Sequence, residues 1–145
     1  FPYTTLFRSP KAQAFAAMDA ALATGANFWN GGQFYGTPDY NSLHLLRDYF
    51  TKYPNAAKDV ILSIKGGLTL EKIPDGSDQF VRESVEECLR ILPPSLKKID
   101  IFQCARVDPN TPIESTMKIL LKLVEEGKIG AVGLSEVKAE TIQRA

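Results

Sequence analysis

The sequence predicts an α/β fold with a parallel sheet packed against helices. Four short apolar runs of strand length alternate with stretches of helical periodicity, and glycine, proline and capping signals mark several of the boundaries. Strands that alternate with helices imply right-handed crossovers, so the expected order is α(βα)₄.

The first element, Lys11 to Thr24, is Ala-rich and carries Phe15, Met18 and Leu22 at helical spacing, with Gly25 as its stop. A strand is expected at Ala26 to Asn30. Asp39 to Tyr53 then places Leu43, Leu46 and Phe50 on one helical face until Pro54 breaks the pattern, and Val60 to Lys65 is the second strand. The loop from Gly66 to Ser77 is longer than an ordinary connection, which marks it as functional. It leads to a helix bearing Val81, Val85, Cys88, Leu89 and Leu92, followed by a strand at Ile99 to Ala105. Thr111-Pro112-Ile113-Glu114 reads as a capping box with proline at the first helical position. The stripe Ile113, Met117, Leu120, Leu121 and Val124 follows, Gly127 closes it, and Ile129 to Ser135 and a short helix from Lys138 complete the order.

Two architectures share this order: a doubly wound sheet and part of a (β/α)₈ barrel. No strand is followed by G-x-G-x-x-G, which disfavours a classical dinucleotide half-domain.

The 145 residues are 44% apolar, with 17 basic and 17 acidic side chains and no run of like charge. That balance describes one globular unit without an electrostatic footprint for nucleic acid or membrane. Cys88 and Cys104 form neither a CxxC nor a zinc arrangement, and both read as packing residues, so no metal site is expected and a reducing, cytoplasmic setting is the default. The sequence assigns no oligomeric state.

Tyr35 and Lys65 carry the functional signal, because each sits where an apolar strand-like run stops. In a parallel barrel, function collects at the carboxyl ends of strands, so a phenol and an ammonium from successive strand ends can meet over one substrate. A phenol beside an ammonium donates a proton to a developing alkoxide, which is carbonyl-reduction chemistry. Taken singly, either residue reads as structural. Asn30 beside Gly31 reads equally as a turn residue, His44 as an ordinary helix position, and Arg106 with Asp108 as a local ion pair or turn first and a substrate contact second.

Trp29 to Gly36 with Lys65, Cys104 to Pro109 and Val132 to Glu136 resembles, in order and spacing, the aldo-keto reductase pattern F-D-x-A-x-x-Y-G, strand lysine, strand histidine and G-x-S-N/E. Asn30 stands in place of the family aspartate and Ala105 in place of the histidine. Those departures, with the runs Phe28 to Gly32, Phe34 to Leu43 and Phe102 to Asp108, are similar to the fungal pyridoxal reductase branch.

The resemblance implies a (β/α)₈ barrel, which needs about 250 residues, with this chain a fragment covering strands two to five in residues 10–145. Residues 1–9 match no expected first strand and read as a non-native leader. The implied activity is NADPH-dependent reduction of a small-molecule aldehyde, pyridoxal foremost, and the fragment alone is expected to be inactive. Tyr35 is then the proton donor and Lys65 the cation that tunes it, since a nearby cation favours phenolate. Asn30 keeps a carbonyl that can accept from the ammonium while removing the charge, which shifts the expected pH profile toward acid. Ser135 would hold the nicotinamide carboxamide with Glu136 beside it, and Trp29 and Phe34 would wall the pyridine ring. Ala105 leaves space that a hydroxyl next to the substrate aldehyde could fill. The alternatives are a non-catalytic NADPH-binding regulatory subunit of the same fold and a lysine aldolase acting through a Schiff base at Lys65.

Overall fold

A computed structural model describes residues 9–145, so the expected leader lies outside the described residues apart from Ser9. Helix α1 (Lys11–Ala23) precedes strand β1 (Phe28–Gly32), helix α2 (Ser42–Lys52), a 3₁₀ turn (Pro54–Lys58) and strand β2 (Ile61–Gly66). Helix α3 (Asp78–Ile91), strand β3 (Ile101–Cys104), helix α4 (Ile113–Glu125), strand β4 (Ala131–Leu134) and helix α5 (Ala139–Arg144) follow. The predicted order stands, with β3 and β4 shorter than expected, β2 displaced by one residue and β1 by two toward the glycines.

The sheet order is β1-β2-β3-β4 and every pair is parallel. A doubly wound sheet reverses its strand order at a switch point. This one does not. Consecutive right-handed crossovers put the helices on one face, which is the arrangement of a (β/α)₈ barrel segment.

Alternation along the strands sorts the side chains. Leu62, Ile64 and Phe102 are fully buried on the helical side, packed in one cluster with Leu43, Leu46 and Phe50 of α2, Val81 and Val85 of α3, and Leu120 and Leu123 of α4. Each such side chain contributes about 1.5 to 3 kcal/mol on burial. A Cβ placed on Gly32 would meet Lys65, and one on Gly133 would meet Gln103 and Ile101, so Lys65, Gln103 and Ile101 share the opposite, barrel-interior face.

The helix boundaries show which local signals operate. Gly25 ends α1 at φ 80°, its N–H donating to Leu22 O while that of Ala26 donates to Ala21 O. That paired pattern is the expected glycine stop. The predicted capping box at Thr111 does not form: Pro112 is the cap residue itself, and the Thr111 hydroxyl donates to Asp108 Oδ2 at 2.7 Å. The box lies instead at α2, where Asn41 Oδ1 accepts from Leu43 N–H at 3.0 Å and Asn41 N–H donates to His44 Nδ1 at 3.2 Å.

A neutral imidazole is required for that second bond. Burial first, then the charge of Arg47, holds the His44 imidazole below its ordinary value. Native His44 therefore binds a proton less readily than unfolded His44, so its stabilisation is complete above about pH 6.5 and is lost as pH falls through the native value. The denaturant midpoint should fall on acidification across this range, and less steeply in His44→Gln. Equal slopes for the two proteins would refute the assignment.

Candidate active site

Tyr35 lies in the loop that leaves β1, and that loop is pinned to the start of α2. The Ser42 hydroxyl donates to Gly32 O and accepts from Gly32 N–H, both at 2.8 Å, while Ser42 N–H donates to Tyr35 O at 2.8 Å. Gln33 N–H donates to Lys65 O at 3.0 Å, which ties the same loop to the end of β2. Two successive strand ends are thus fixed to each other by backbone bonds. Their side chains meet: Lys65 Nζ stands 6.0 Å from the centre of the Tyr35 ring.

A cleft of about 350 Å³ opens over this pair. Phe34 and Ala105 line it, and Ser135 and Glu136 reach it from the end of β4. Four strand ends therefore contribute to one hollow, at the carboxyl edge where barrel chemistry collects. Its size is within the ordinary range for a small-molecule site.

Two of the expected site residues lie elsewhere. Trp29 does not line the cleft: its ring stacks on Phe50 at 6.1 Å and 22°, and its Nε1–H donates to Ala26 O at 2.8 Å. Strand alternation is the reason, because Trp29 and Asn30 are neighbours and point to opposite faces. Asn30 pairs in register with Ser63, one alternation below the Gly32 and Lys65 pair. Its Nδ2 donates to Ser63 O at 3.4 Å, so the side chain braces the next strand with its amide and is not a wall of the cleft.

Other residues enter the site, some of them given no role by the sequence pattern and some a different one. Leu68 and Lys72 come from the long loop after β2, which supports its functional reading. Arg106 pairs not with Asp108 but with Glu136, Nε to Oε2 at 3.0 Å. Asp108 is buried and accepts from Gly76 N–H at 3.0 Å, Asn110 N–H at 2.8 Å and the Thr111 hydroxyl. Burial pushes its carboxyl up, yet these donors outweigh it and hold the group below its ordinary value. The clamp fixes the β2–α3 loop to the β3–α4 loop. Cys104 is buried and its thiol is pushed up to about 11 by burial, which leaves it a packing residue.

The aldo/keto reductase family model matches residues 4–145. The chain belongs to the aldo/keto reductase family. It is 49% identical over 140 residues to the Schizosaccharomyces pombe protein named "Probable pyridoxal reductase 2", covering 95% of this chain and 42% of the relative. A Saccharomyces cerevisiae protein with a pyridoxal reductase designation is 37% identical over 147 residues, covering 92% of this chain and 41% of that one. The chain is therefore similar to the fungal pyridoxal reductase branch, and it spans about two fifths of the length of these relatives. The fold agrees: the glycerol dehydrogenase of Gluconobacter oxydans superposes with a TM-score of 0.77 at 25% identity, covering 95% of this chain and 43% of the dehydrogenase. Among the described residues, no helix is long and apolar enough to cross a membrane.

Proposed function

We propose that the protein carrying this aldo/keto reductase chain reduces an aldehyde to an alcohol with NADPH, and that pyridoxal is the substrate. The observation that carries this is the meeting of the Tyr35 phenol and the Lys65 ammonium in one cleft at the ends of β1 and β2. The relatives named as pyridoxal reductases support the choice of aldehyde.

The residues fit a nicotinamide. Ser135 is at the end of β4 and lines the same cleft, and a hydroxyl both donates and accepts, which is what a carboxamide requires. When bound, the reduced nicotinamide supplies the hydride to the aldehyde carbon. Tyr35 gives its proton to the carbonyl oxygen as that oxygen gains negative charge, and Lys65 stabilises the phenolate left behind. Phe34 covers the substrate ring with an apolar face. Glu136 flanks Ser135 on the cofactor side.

Ala105 supplies no side-chain donor for the carbonyl oxygen. A substrate hydroxyl adjacent to the aldehyde takes that place through an internal hydrogen bond. In the full-length protein, 2-hydroxybenzaldehyde should be reduced at least about tenfold faster than benzaldehyde, the worth of one positioned donor. Equal kcat/KM values would remove the substrate-assisted step. Pyridoxal-dependent oxidation of NADPH by the same protein tests the reductase reading itself, and cofactor binding without turnover of any aldehyde would favour a regulatory subunit.

A further inference from the structure

The cleft is lined by three cationic side chains, Lys65, Lys72 and Arg106, and by one carboxylate, Glu136. Arg106 follows Ala105 directly, and its pair with Glu136 links the loop after β3 to the loop after β4 across the site. The two side chains are 52% and 64% exposed, so the pair has little value as a stabilising contact. Its location asks for another role.

Backbone geometry points the same way. Among the described residues, Lys72 and Glu136 are the non-glycine positions with positive φ, at 64° and 54°, and both line this cleft. Such conformations are unfavourable for a residue with a Cβ and concentrate where a side chain must be aimed at a ligand. The Glu136 carboxylate accepts from Arg106 Nε at 3.0 Å, which holds the guanidinium beside the cleft. Without that hold, a long arginine beside an alanine would extend into water.

We propose that Arg106, positioned by Glu136, determines specificity by selecting aromatic aldehydes that carry a carboxylate remote from the reacting carbonyl. This rests on the reductase reading of the same cleft. The guanidinium offers a planar fork that matches such an anion, and Ala105 beside it leaves room for the substrate to approach. Lys72 adds to the positive potential from the long loop. Glu136 acts in the opposite sense, competing for the guanidinium and repelling the anion, while keeping the arginine over the cleft.

The test uses the full-length protein and two aldehydes of nearly equal shape, 4-formylbenzoate and neutral 4-formylbenzamide. The readout is the ratio of their kcat/KM values, which does not depend on the fraction of protein that is folded. Arg106→Met should lower the ratio about two- to fivefold, the upper part of the range of an exposed ion pair. Arg106→Lys should recover part of it, and Glu136→Gln should raise it about twofold or more. A ratio that stays constant in both Arg106→Met and Glu136→Gln makes the pair a mere strut between loops and overturns the proposal. If wild type reduces neither these aldehydes nor pyridoxal, the reductase reading fails. The calorimetric affinity ratio for the two compounds then decides the charge selection by the same criterion.

Discussion

Replacing Tyr35 with Phe is expected to lower aldehyde turnover by about a hundred- to ten-thousandfold, the range for loss of a positioned general acid. The substitution removes one oxygen and keeps the aromatic ring. The loop that holds it is fixed by backbone and Ser42 bonds that do not involve the phenol, so substrate and cofactor binding should survive. A fall in kcat with KM nearly constant is the signature of an interaction made only in the transition state. Lys65→Met should produce a loss of similar size, because the ammonium lies 6.0 Å from the same ring and acts through it. The double variant should therefore lose little more than either single one, since residues that act as a unit are not additive. Stopped-flow measurement of nicotinamide oxidation checks both. A Tyr35→Phe enzyme within tenfold of wild type would remove the phenol from the chemistry and return attention to a Schiff base at Lys65.

The reach of the sequence can be judged from these residues. That Tyr35 and Lys65 meet in one cleft was legible because each ends an apolar run, and the ends of successive parallel strands lie side by side. Trp29 faces away from the cleft, and the sequence carries the reason: a residue next to Asn30 in a strand faces the other way. The Arg106 and Glu136 pair was not legible, because thirty residues separate them in sequence and only the adjacency of β3 and β4 brings their loops together. The Asn41 cap carries no ordinary sequence signal, because its box closes with an imidazole instead of a carboxylate or amide. The α4 signal misled for the converse reason, since Asp108 takes up the Thr111 hydroxyl that would have capped the helix. The single-file strand order, which decides between a doubly wound sheet and a barrel segment, is a tertiary fact that periodicity does not encode.

Gly66 extends the same point to stability. It closes β2 directly after Lys65, and a Cβ there would stand 2.4 Å from Ser84 Oγ, 2.6 Å from Gln33 Oε1 and 2.7 Å from Phe102 Cζ. None of these atoms can yield cheaply. Phe102 is fully buried in the core. The Ser84 hydroxyl accepts from Gly67 N–H at 2.9 Å and donates to Gln33 Oε1 at 2.6 Å, while Gln33 Nε2 donates to Ser84 O at 3.2 Å. Gly66→Ala must displace this network or the ring. Overpacking costs about 1 to 3 kcal/mol, and a buried polar group left without its partner costs about 1 to 3 kcal/mol more. The expected loss is therefore about 2 to 6 kcal/mol, a large part of the stability of an ordinary domain. Turnover should fall as well, because Gln33 leads into Phe34 and Tyr35 and the displaced strand end carries Lys65. Adding Ser84→Ala removes the nearest clashing atom, so the double variant should be less destabilised than the sum of the two single ones, since neighbours in one network couple. Urea denaturation of the four proteins measures the coupling. Additive losses, or a Gly66→Ala variant within about 0.5 kcal/mol of wild type, the usual range for a surface change, would mean that the strand end relaxes freely and does not hold the site.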